Sequence, residues 1–436
     1  MNRTADSVLP PYGPSYAARV YRAITDTPLA FWAALAALRF AAQIVFRRDL
    51  APGEFGTFNT ILGITDLMAL PLFALHEAFT LYFRRVHPAA SAARLETLRA
   101  SSLTVMETFA WGWGLLSLAL VLFLSAVVEL PRFSLQLFTL LCVLMALGGE
   151  FSRALCRSDD SMHHWVRLVL AFAVVRVLAA ALITAHSPWA ETALGVFILA
   201  GFITLVPALR SREVSTADRL KALRCLADRD FLLFAGATLS TLLAIFLFGS
   251  ADRIVAQAGF GAATDNNLGL VNWPQFDAYQ TAGLLGRGLL WGTQPLLWMF
   301  YARRSPLERT TWESLRFLGI HLTYLLVGAL MLGMLARPLS RLFCGADYAE
   351  TAALVPSFAT VMVLIGVLQA VAAFCLASRR YAECFLLAAC SIAYAVVLYV
   401  GGRQPHLMIA YMFGGALISL MIVLFLAIVR WGRRQP

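Results

Sequence analysis

The sequence has very little charge for its length. Only 14% of its 436 residues are Asp, Glu, Lys or Arg, and 60% are hydrophobic, whereas soluble domains have roughly 25% charged residues. A soluble chain of this composition could not cover its surface with polar groups, so lipid must be the solvent for much of it. The scarcity of charge excludes an ordinary soluble domain and predicts an integral membrane protein.

The sequence also lacks the patterns of nucleic-acid-binding, disulfide-bonded and metal-binding proteins. Its net charge of +10 comes from basic residues in short gaps between apolar stretches, not from one basic run. The cysteines are odd in number and dispersed, and most lie in apolar stretches, which favours neither a disulfide framework nor a zinc site. They are Cys142, Cys156, Cys225, Cys344, Cys375, Cys384 and Cys390. We therefore expect no nucleic-acid partner, no metal and no cofactor.

Catalytic motifs are missing from the sequence as well. It contains no nucleophile elbow, phosphate-binding P-loop or metalloprotease helix. We find no signal peptide, because the first long apolar stretch is of the kind retained as a membrane helix. These features favour a protein that moves a substrate over an enzyme.

Long apolar stretches are abundant. A hydrocarbon core of about 30 Å needs about 20 apolar residues per helix, and twelve stretches meet this requirement. We predict membrane helices at residues 28–46, 56–83, 101–128, 133–155, 165–185, 189–209, 231–250, 268–300, 315–336, 352–377, 383–400 and 407–430. Most arginines lie before the first span or in every second connection, which places both termini in the cytoplasm. The opposite side contains Arg47, Arg48, Arg132, Arg253, Arg337, Arg341 and Arg403.

The longest basic connection divides the twelve spans into two six-helix halves of the same orientation. Such an arrangement, with a central cavity between the halves, is a common plan for transporters. The predicted organisation is an N-terminal cytoplasmic segment, an N-lobe, an inter-lobe connection, a C-lobe and a basic tail. These correspond to residues 1–27, 28–209, 210–230, 231–430 and 431–436.

Several polar side chains are predicted at membrane depth, where charge is costly and marks a water-filled path or a site. One face of span eight contains Asp277, Gln280, Thr281, Arg287, Trp291 and Gln294. This stripe either lines water or a polar ligand, or forms a buried polar seam between helices. Spans one and two have shorter polar faces that include Arg39, Gln43, Asn59, Asp66, Glu77 and Thr80.

The mid-depth arginines predict an anionic ligand. Arg39 and Arg287 could bind an anionic group where the low dielectric strengthens each contact. Alternatively they form structural ion pairs with Asp66, Glu77 or Asp277, the carboxylates that could also carry a coupling proton. The predicted cavity residues are Arg39, Arg287, Arg176, Gln43, Gln280, Trp291 and Gln294.

Residues 47–56, Arg-Arg-Asp-Leu-Ala-Pro-Gly-Glu-Phe-Gly, resemble a signature of polysaccharide-export flippases. Residues 251–255 and 339–348 resemble further turns of this family, which includes the Wzx-type flippases of the multidrug/oligosaccharidyl-lipid/polysaccharide exporter superfamily. Segment 262–282 departs from the family pattern. The resemblance implies two six-helix lobes in a V, with a cationic cavity that carries a polyprenyl-pyrophosphate-linked glycan across the membrane.

The sequence therefore predicts a flippase of lipid-linked glycans in the bacterial inner membrane. Its expected partners are the lipid-linked glycan, membrane lipids and polysaccharide-assembly proteins. Two alternatives stay open: a cation-coupled exporter of amphipathic small molecules on the same scaffold, or a non-transporting membrane subunit of a polysaccharide synthase or secretion complex.

Overall fold

The computed structural model describes residues 28–86, 92–130, 132–158, 162–209, 229–261, 273–303 and 311–432. Within these ranges the regular structure is helical. The helices are α1 (Pro28–Asp49), α2 (Glu54–Val86), α3 (Ala92–Val127), α4 (Phe133–Ser158), α5 (Met162–Ile183), α6 (Ala190–Leu209), α7 (Arg229–Ala256), α8 (Trp273–Arg303), α9 (Thr311–Met334), α10 (Ala336–Cys344), α11 (Ala349–Ala377), α12 (Tyr381–Gly401) and α13 (Pro405–Gly432). A π-helical turn, Gln257–Gly261, continues α7.

The all-helical membrane fold predicted from the sequence is confirmed. Each of the twelve predicted spans coincides with one long helix, and α10 is an additional short helix. Ten helices of the described chain are long and apolar enough to cross a membrane by length and composition. The other two long helices, α1 and α8, are those that contain Arg39 and Arg287.

Burial differs strongly between helices. About two thirds of the apolar spans of α2 and α11 are buried inside the protein, against 11% for α9 and 17% for α3 and α5. The peripheral helices expose large apolar side chains, among them Trp111, Leu182, Phe202, Leu330 and Phe425. An apolar surface of this extent fits a lipid environment and not water. The chain is therefore a multi-pass membrane protein.

The helices form two bundles. In the first, α4 packs against α2, α3 and α6, and α5 packs against α1 and α6. In the second, α7 packs against α12, and α11 packs against α8 and α9. The bundles meet where α2 packs along α7 and where α8 contacts α1 and α2. The predicted segment 1–27 and nearly all of 210–230 lie outside the described residues.

Alternate helix connections come together at two ends of the bundles. One end, called the Gly53 end, comprises residues 50–53, 128–130, 132, 184–189, 335–348 and 402–404 with the π-helical turn. The positive-inside pattern predicts that this end faces away from the cytoplasm. The sidedness stays a prediction.

Reporter fusions test the sidedness directly. We expect fusions after Arg94, Arg219, Arg304 and Arg434 to report the cytoplasm, because each lies in an arginine-rich connection or tail. A fusion after Pro188, at the Gly53 end, is the matched control and should report the opposite side. An external signal at any of the first four positions would overturn the assignment.

Candidate functional site

The centre of the protein contains an ion pair between the two bundles. Nη2 of Arg253, near the end of α7, lies 2.8 Å from Oδ2 of Asp66 on α2. The Asp66 side chain is 60% exposed, whereas that of Arg253 is only 10% exposed. Asp66 is therefore accessible where α2 and α7 of the two bundles meet, and Arg253 reaches it from inside the protein. We call the accessible region beside Asp66 the opening.

The backbone around Arg253 is held from both sides. Its carbonyl oxygen accepts hydrogen bonds from Thr60 Oγ1 at 3.0 Å and from Gln280 Nε2 at 2.9 Å. Gly63 on α2 leaves room for the side chain, since a Cβ there would lie 2.9 Å from Arg253 Nε. A residue larger than glycine at position 63 would push the guanidinium away from Asp66.

Two further arginines lie near this pair. Arg39 on α1 is exposed, and it is close enough to Asp66 and to Arg176 for their charges to interact. Arg176 on α5 is buried between the rings of Phe46 and Phe197, with its Cζ 5.6 and 5.4 Å from their centroids. We call Arg39, Asp66, Arg176 and Arg253 the central site.

Arg176 is under-satisfied within the described part of the chain. Its Nε and Nη2 atoms are buried and have no hydrogen-bond partner there. Gln43, on the same helix as Arg39, is also buried with its Oε1 unpartnered among those residues. A buried guanidinium with free donors is costly unless an anion or water satisfies it. The arrangement can therefore bind an anion at the side of the N-lobe.

The predicted stripe on α8 is mostly a seam between helices and does not line water. Asp277, Gln280, Thr281 and Arg287 are all buried in protein contacts. Trp291 is half-buried and packs on Phe40, with ring centroids 5.4 Å apart. These polar residues therefore share one face of α8, as their spacing predicts, but that face packs against other helices. The Gln294 side chain lies outside the described residues.

Arg287 belongs to a buried ion pair inside the second bundle. Its Nη1 donates to Oδ1 and Oδ2 of Asp252 on α7, at 3.1 and 2.9 Å. Asp252 also accepts from the hydroxyl of Tyr279 at 3.1 Å. The structure therefore does not bring Arg287 together with Arg39 on one open surface. The ion-pairing alternative fits Arg287, with Asp252 as the partner and none of the three carboxylates proposed from the sequence.

Asp277 joins the two bundles at the Gly53 end. Its Oδ2 and Oδ1 accept hydrogen bonds from the backbone N–H groups of Gly53 and Gly56, each at 2.8 Å. Oδ2 also lies 3.8 Å from Nη1 of Arg47 on α1. Because Gly53 has no side chain, α2 obtains its N-terminal hydrogen-bond acceptor from α8 of the other bundle. Thr281 Oγ1 accepts a hydrogen bond from Arg47 Nε at 3.2 Å. We call Arg47, Gly53, Gly56, Asp277 and Thr281 the Gly53-end clamp.

The motif at residues 47–56 makes contacts with both bundles at the Gly53 end. Gly53 has a φ of +84°, a conformation that favours glycine. A Cβ on Gly56 would lie 2.1 Å from the Phe276 ring, so only glycine allows α2 and α8 to approach this closely. Glu54 accepts from Ala190 N at 2.8 Å and pairs with Arg132. The motif therefore fixes the α1–α2 turn to both bundles.

Glu77 has a different neighbourhood from the other predicted coupling carboxylates. It is buried on α2 and lies 3.2 Å from Nη2 of Arg153 on α4. Arg153 also lies 3.4 Å from Glu150 and over the ring of Phe73 at 4.8 Å. This group joins α2 and α4 within the first bundle, away from the Gly53 end.

Arg253 and Asp252 are interior charges that the hydrophobic spans and the positive-inside pattern do not predict. That pattern predicts Arg253 in an outward connection, but it lies in α7 and is largely buried. The two residues are adjacent and point to different partners: Asp252 to Arg287 and Arg253 to Asp66. An Asp-Arg dipeptide directly after a long apolar run was the available signal.

The fold is similar to that of several solved membrane transporters. The helices match, over nearly their whole length, those of transporters of the MOP superfamily. One is an inward-facing multidrug resistance MATE family transporter of that superfamily, with a TM-score of 0.63, 12% identity and coverage of 92% of this chain and 96% of that chain. The fold expected from the sequence resemblance is therefore confirmed.

Other matches extend this comparison. The lipid II flippase MurJ, in an inward closed conformation, gives a TM-score of 0.61 at 11% identity and covers 91% of this chain and 87% of that chain. An outward-facing MATE family transporter gives 0.53 at 14% identity, with 94% of each chain covered. No protein family model and no curated protein matches the sequence. The Wzx-type assignment stays a prediction.

Proposed function

We propose that the chain is a flippase that carries a lipid-linked, pyrophosphate-bearing glycan precursor across the bacterial inner membrane by alternating access. The observation that supports this most directly is the central site. It places an exposed arginine, Arg39, and a buried, under-satisfied arginine, Arg176, beside an opening between two bundles. The fold shared with MATE transporters and MurJ supports transport as the general activity.

The charge balance of the interior favours an anionic substrate. Arg253 and Arg287 are each balanced by an aspartate, whereas Arg39 and Arg176 have no ion-pair partner within 4 Å in the described part of the chain. A pyrophosphate leaving the headgroup region loses its hydration and needs fixed cations in its place. Arginine fits this role because its guanidinium stays protonated and binds two phosphate oxygens at once.

The roles proposed for the residues differ from those drawn from the sequence in one respect. Arg39 and Arg176 bind the anionic group. Gln43 lies one turn after Arg39 on α1, and Trp291 of α8 packs on Phe40 of the same helix. Arg287 maintains the position of α8 through its pair with Asp252. Of the carboxylates, only Asp66 is exposed at the central site.

A specific observation also favours a second function, the cation-coupled export of amphipathic small molecules. Asp66 is an exposed carboxylate that links the two bundles, and a proton on it would release Arg253. Such an exporter would depend on a pH gradient through Asp66, and it would not need Arg39 and Arg176.

Export assays on arginine variants test the first function. We expect Arg39→Ala to abolish glycan export while folding and membrane insertion stay normal. Arg39 is exposed, so its removal leaves no buried ion-pair partner unsatisfied. Arg39→Lys should keep part of the activity, since lysine keeps the charge but not the bidentate contact. The measurement is accumulation of the lipid-linked glycan on the cytoplasmic leaflet, at equal protein level.

The matched control is Arg403→Ala, an exposed arginine at the Gly53 end. It should export normally. Full export by an Arg39→Ala/Arg176→Gln double variant would contradict an arginine-based site. If that variant also kept a transport activity abolished by Asp66→Asn, the second function would be favoured.

A further inference from the structure

Asp66 is the carboxylate around which three arginines gather. It pairs directly with Arg253 at 2.8 Å, and its charge also acts on Arg39 and Arg176. The arginines come from three different helices, α1, α5 and α7. An anion entering the opening would therefore compete with Asp66 for Arg253 and lie near Arg39 and Arg176, which have no ion-pair partner within 4 Å among the described residues.

The two members of the pair depend on each other unequally. Asp66 is 60% exposed, so water can hydrate its carboxylate when the pair opens, and exposed ion pairs contribute at most about 1 kcal/mol. Arg253 is 10% exposed, and its Nε has no hydrogen-bond partner among the described residues. A nearly buried guanidinium that loses its counter-charge is costly. Losing its partner therefore costs more free energy for Arg253 than for Asp66.

The surroundings let the partners exchange without moving a helix. The carbonyl group of Arg253 is held by Thr60 and Gln280, so its backbone is fixed while its guanidinium lies at the opening. Asp66 is on the exposed side of α2, and the open space beside it leaves its side chain free to rotate.

We infer that Asp66 is a tethered stand-in for the anionic group of the substrate: it occupies Arg253 in the empty transporter, and a phosphate or pyrophosphate group displaces it. The inference rests on the proposed function and adds Arg253 to the binding site. A pyrophosphate carries more charge and more acceptor oxygens than a carboxylate, so it can engage Arg253 and Arg39 together. A neutral or cationic amphiphile has no anionic group to take the place of Asp66 at Arg253, which makes this residue a determinant of specificity.

Displacement also alters the contact between the bundles. While Asp66 holds Arg253, α2 and α7 are tied across the opening. When the substrate binds Arg253 in place of Asp66, the direct ion pair between α2 and α7 is lost, and the two helices are linked only through the ligand at this point. Substrate binding is thereby coupled to the contact that must change during transport.

Competition by Asp66 can be measured on the purified full-length protein in detergent. The probes are inorganic pyrophosphate and farnesyl pyrophosphate, and dissociation constants are measured by calorimetry at constant ionic strength. We expect Asp66→Asn to bind both probes about fivefold more tightly than the wild type, since the lost competition is that of an exposed ion pair. Asp347→Asn, an exposed aspartate at the Gly53 end, makes the same charge change and should leave both constants unchanged.

A second measurement guards against a folding effect. Asp66→Asn leaves Arg253 without its counter-charge, so pyrophosphate should raise the thermal unfolding midpoint of this variant more than that of the wild type. Arg253→Gln should abolish the gain in affinity when combined with Asp66→Asn.

The possible results separate this inference from the proposed function. The role of Asp66 is overturned if the wild type binds the probes and Asp66→Asn binds them equally well or more weakly. That result leaves the proposed glycan transport standing. A gain with equal affinity for the two probes upholds the role of Asp66 and contradicts a lipid-linked substrate. Absence of binding in every variant overturns both.

Discussion

Replacing Arg287 by alanine is expected to destabilise the folded protein by about 3–5 kcal/mol, the usual effect of breaking a buried ion pair. Asp252 is fully buried, and Arg287 donates to both of its oxygens. Without Arg287, the hydroxyl of Tyr279 stays as a neutral donor at 3.1 Å, which cannot replace a full positive charge in a low dielectric. The measurement is thermal unfolding in detergent, with the exposed Arg337→Ala as control.

A double variant identifies the cause. In Asp252→Leu/Arg287→Met both charges are replaced by apolar groups of similar volume, a change that is often neutral or stabilising. We expect this variant to recover most of the stability lost in Arg287→Ala. A double variant no more stable than the single one would contradict the ion pair as the source of the effect. If it also exports glycan normally, Arg287 has no direct part in binding substrate.

The membrane spans could be predicted because the hydrocarbon core requires them. Any helix that crosses lipid must be apolar for about 20 residues, and composition alone reports this. The ends of the helices are less predictable, because a charge that finds a partner can remain in a helix. Span seven was ended at residue 250 because Ala251-Asp252-Arg253 follows, yet α7 continues to Ala256. Both charges in that tripeptide are neutralised, by Arg287 and Asp66.

The partners of polar side chains could not be predicted from periodicity. A period of 3.6 residues shows that Asp277, Gln280, Thr281 and Arg287 share a face, but the same pattern describes a face in water and a face against other helices. Only the packing of α8 against α2, α7 and α11 settles this. Arg39 is exposed in the structure, and its role in binding the substrate stays a prediction.

The motif at residues 47–56 shows which structural features a sequence resemblance predicts and which it does not. The fold that the resemblance implied is the fold that the structure has. The motif did not reveal that Gly53 and Gly56 each donate to Asp277, some 220 residues away in sequence. Contacts between lobes depend on two distant segments together, so neither segment alone indicates them.

Closure at the Gly53 end follows from these contacts. Asp277 and Arg47 connect α8 to α1 and α2, and Arg48 Nε donates to the carbonyl oxygen of Leu342 at 2.9 Å. Gly56 lets α2 approach Phe276. Under the proposed alternating access, these contacts must break when the protein opens at the Gly53 end. Their stability therefore sets how much of the population is closed there.

Replacing Asp277 by alanine is expected to shift the protein toward a state open at the Gly53 end. The carboxylate accepts two backbone N–H groups in the closed state, and a hydrogen bond to a charged group contributes about 1.5–3 kcal/mol. In the open state the same carboxylate is hydrated, so its removal affects mainly the closed state. A difference of about 3 kcal/mol corresponds to a shift of roughly 100-fold in the equilibrium. Asp277→Asn, which keeps an acceptor oxygen but no charge, should shift it less.

The shift can be measured as a distance between the two bundles. His186 in the first bundle and Arg403 in the second are both exposed at the Gly53 end. In a background without the native cysteines, each is replaced by cysteine and spin-labelled. We expect double electron–electron resonance to show a longer-distance population in Asp277→Ala. Asp347→Ala removes an exposed carboxylate from the same end and should keep the closed distribution. If Asp277→Ala kept that distribution too, the clamp would not hold this end closed, and α2–α7 packing would have to do so instead.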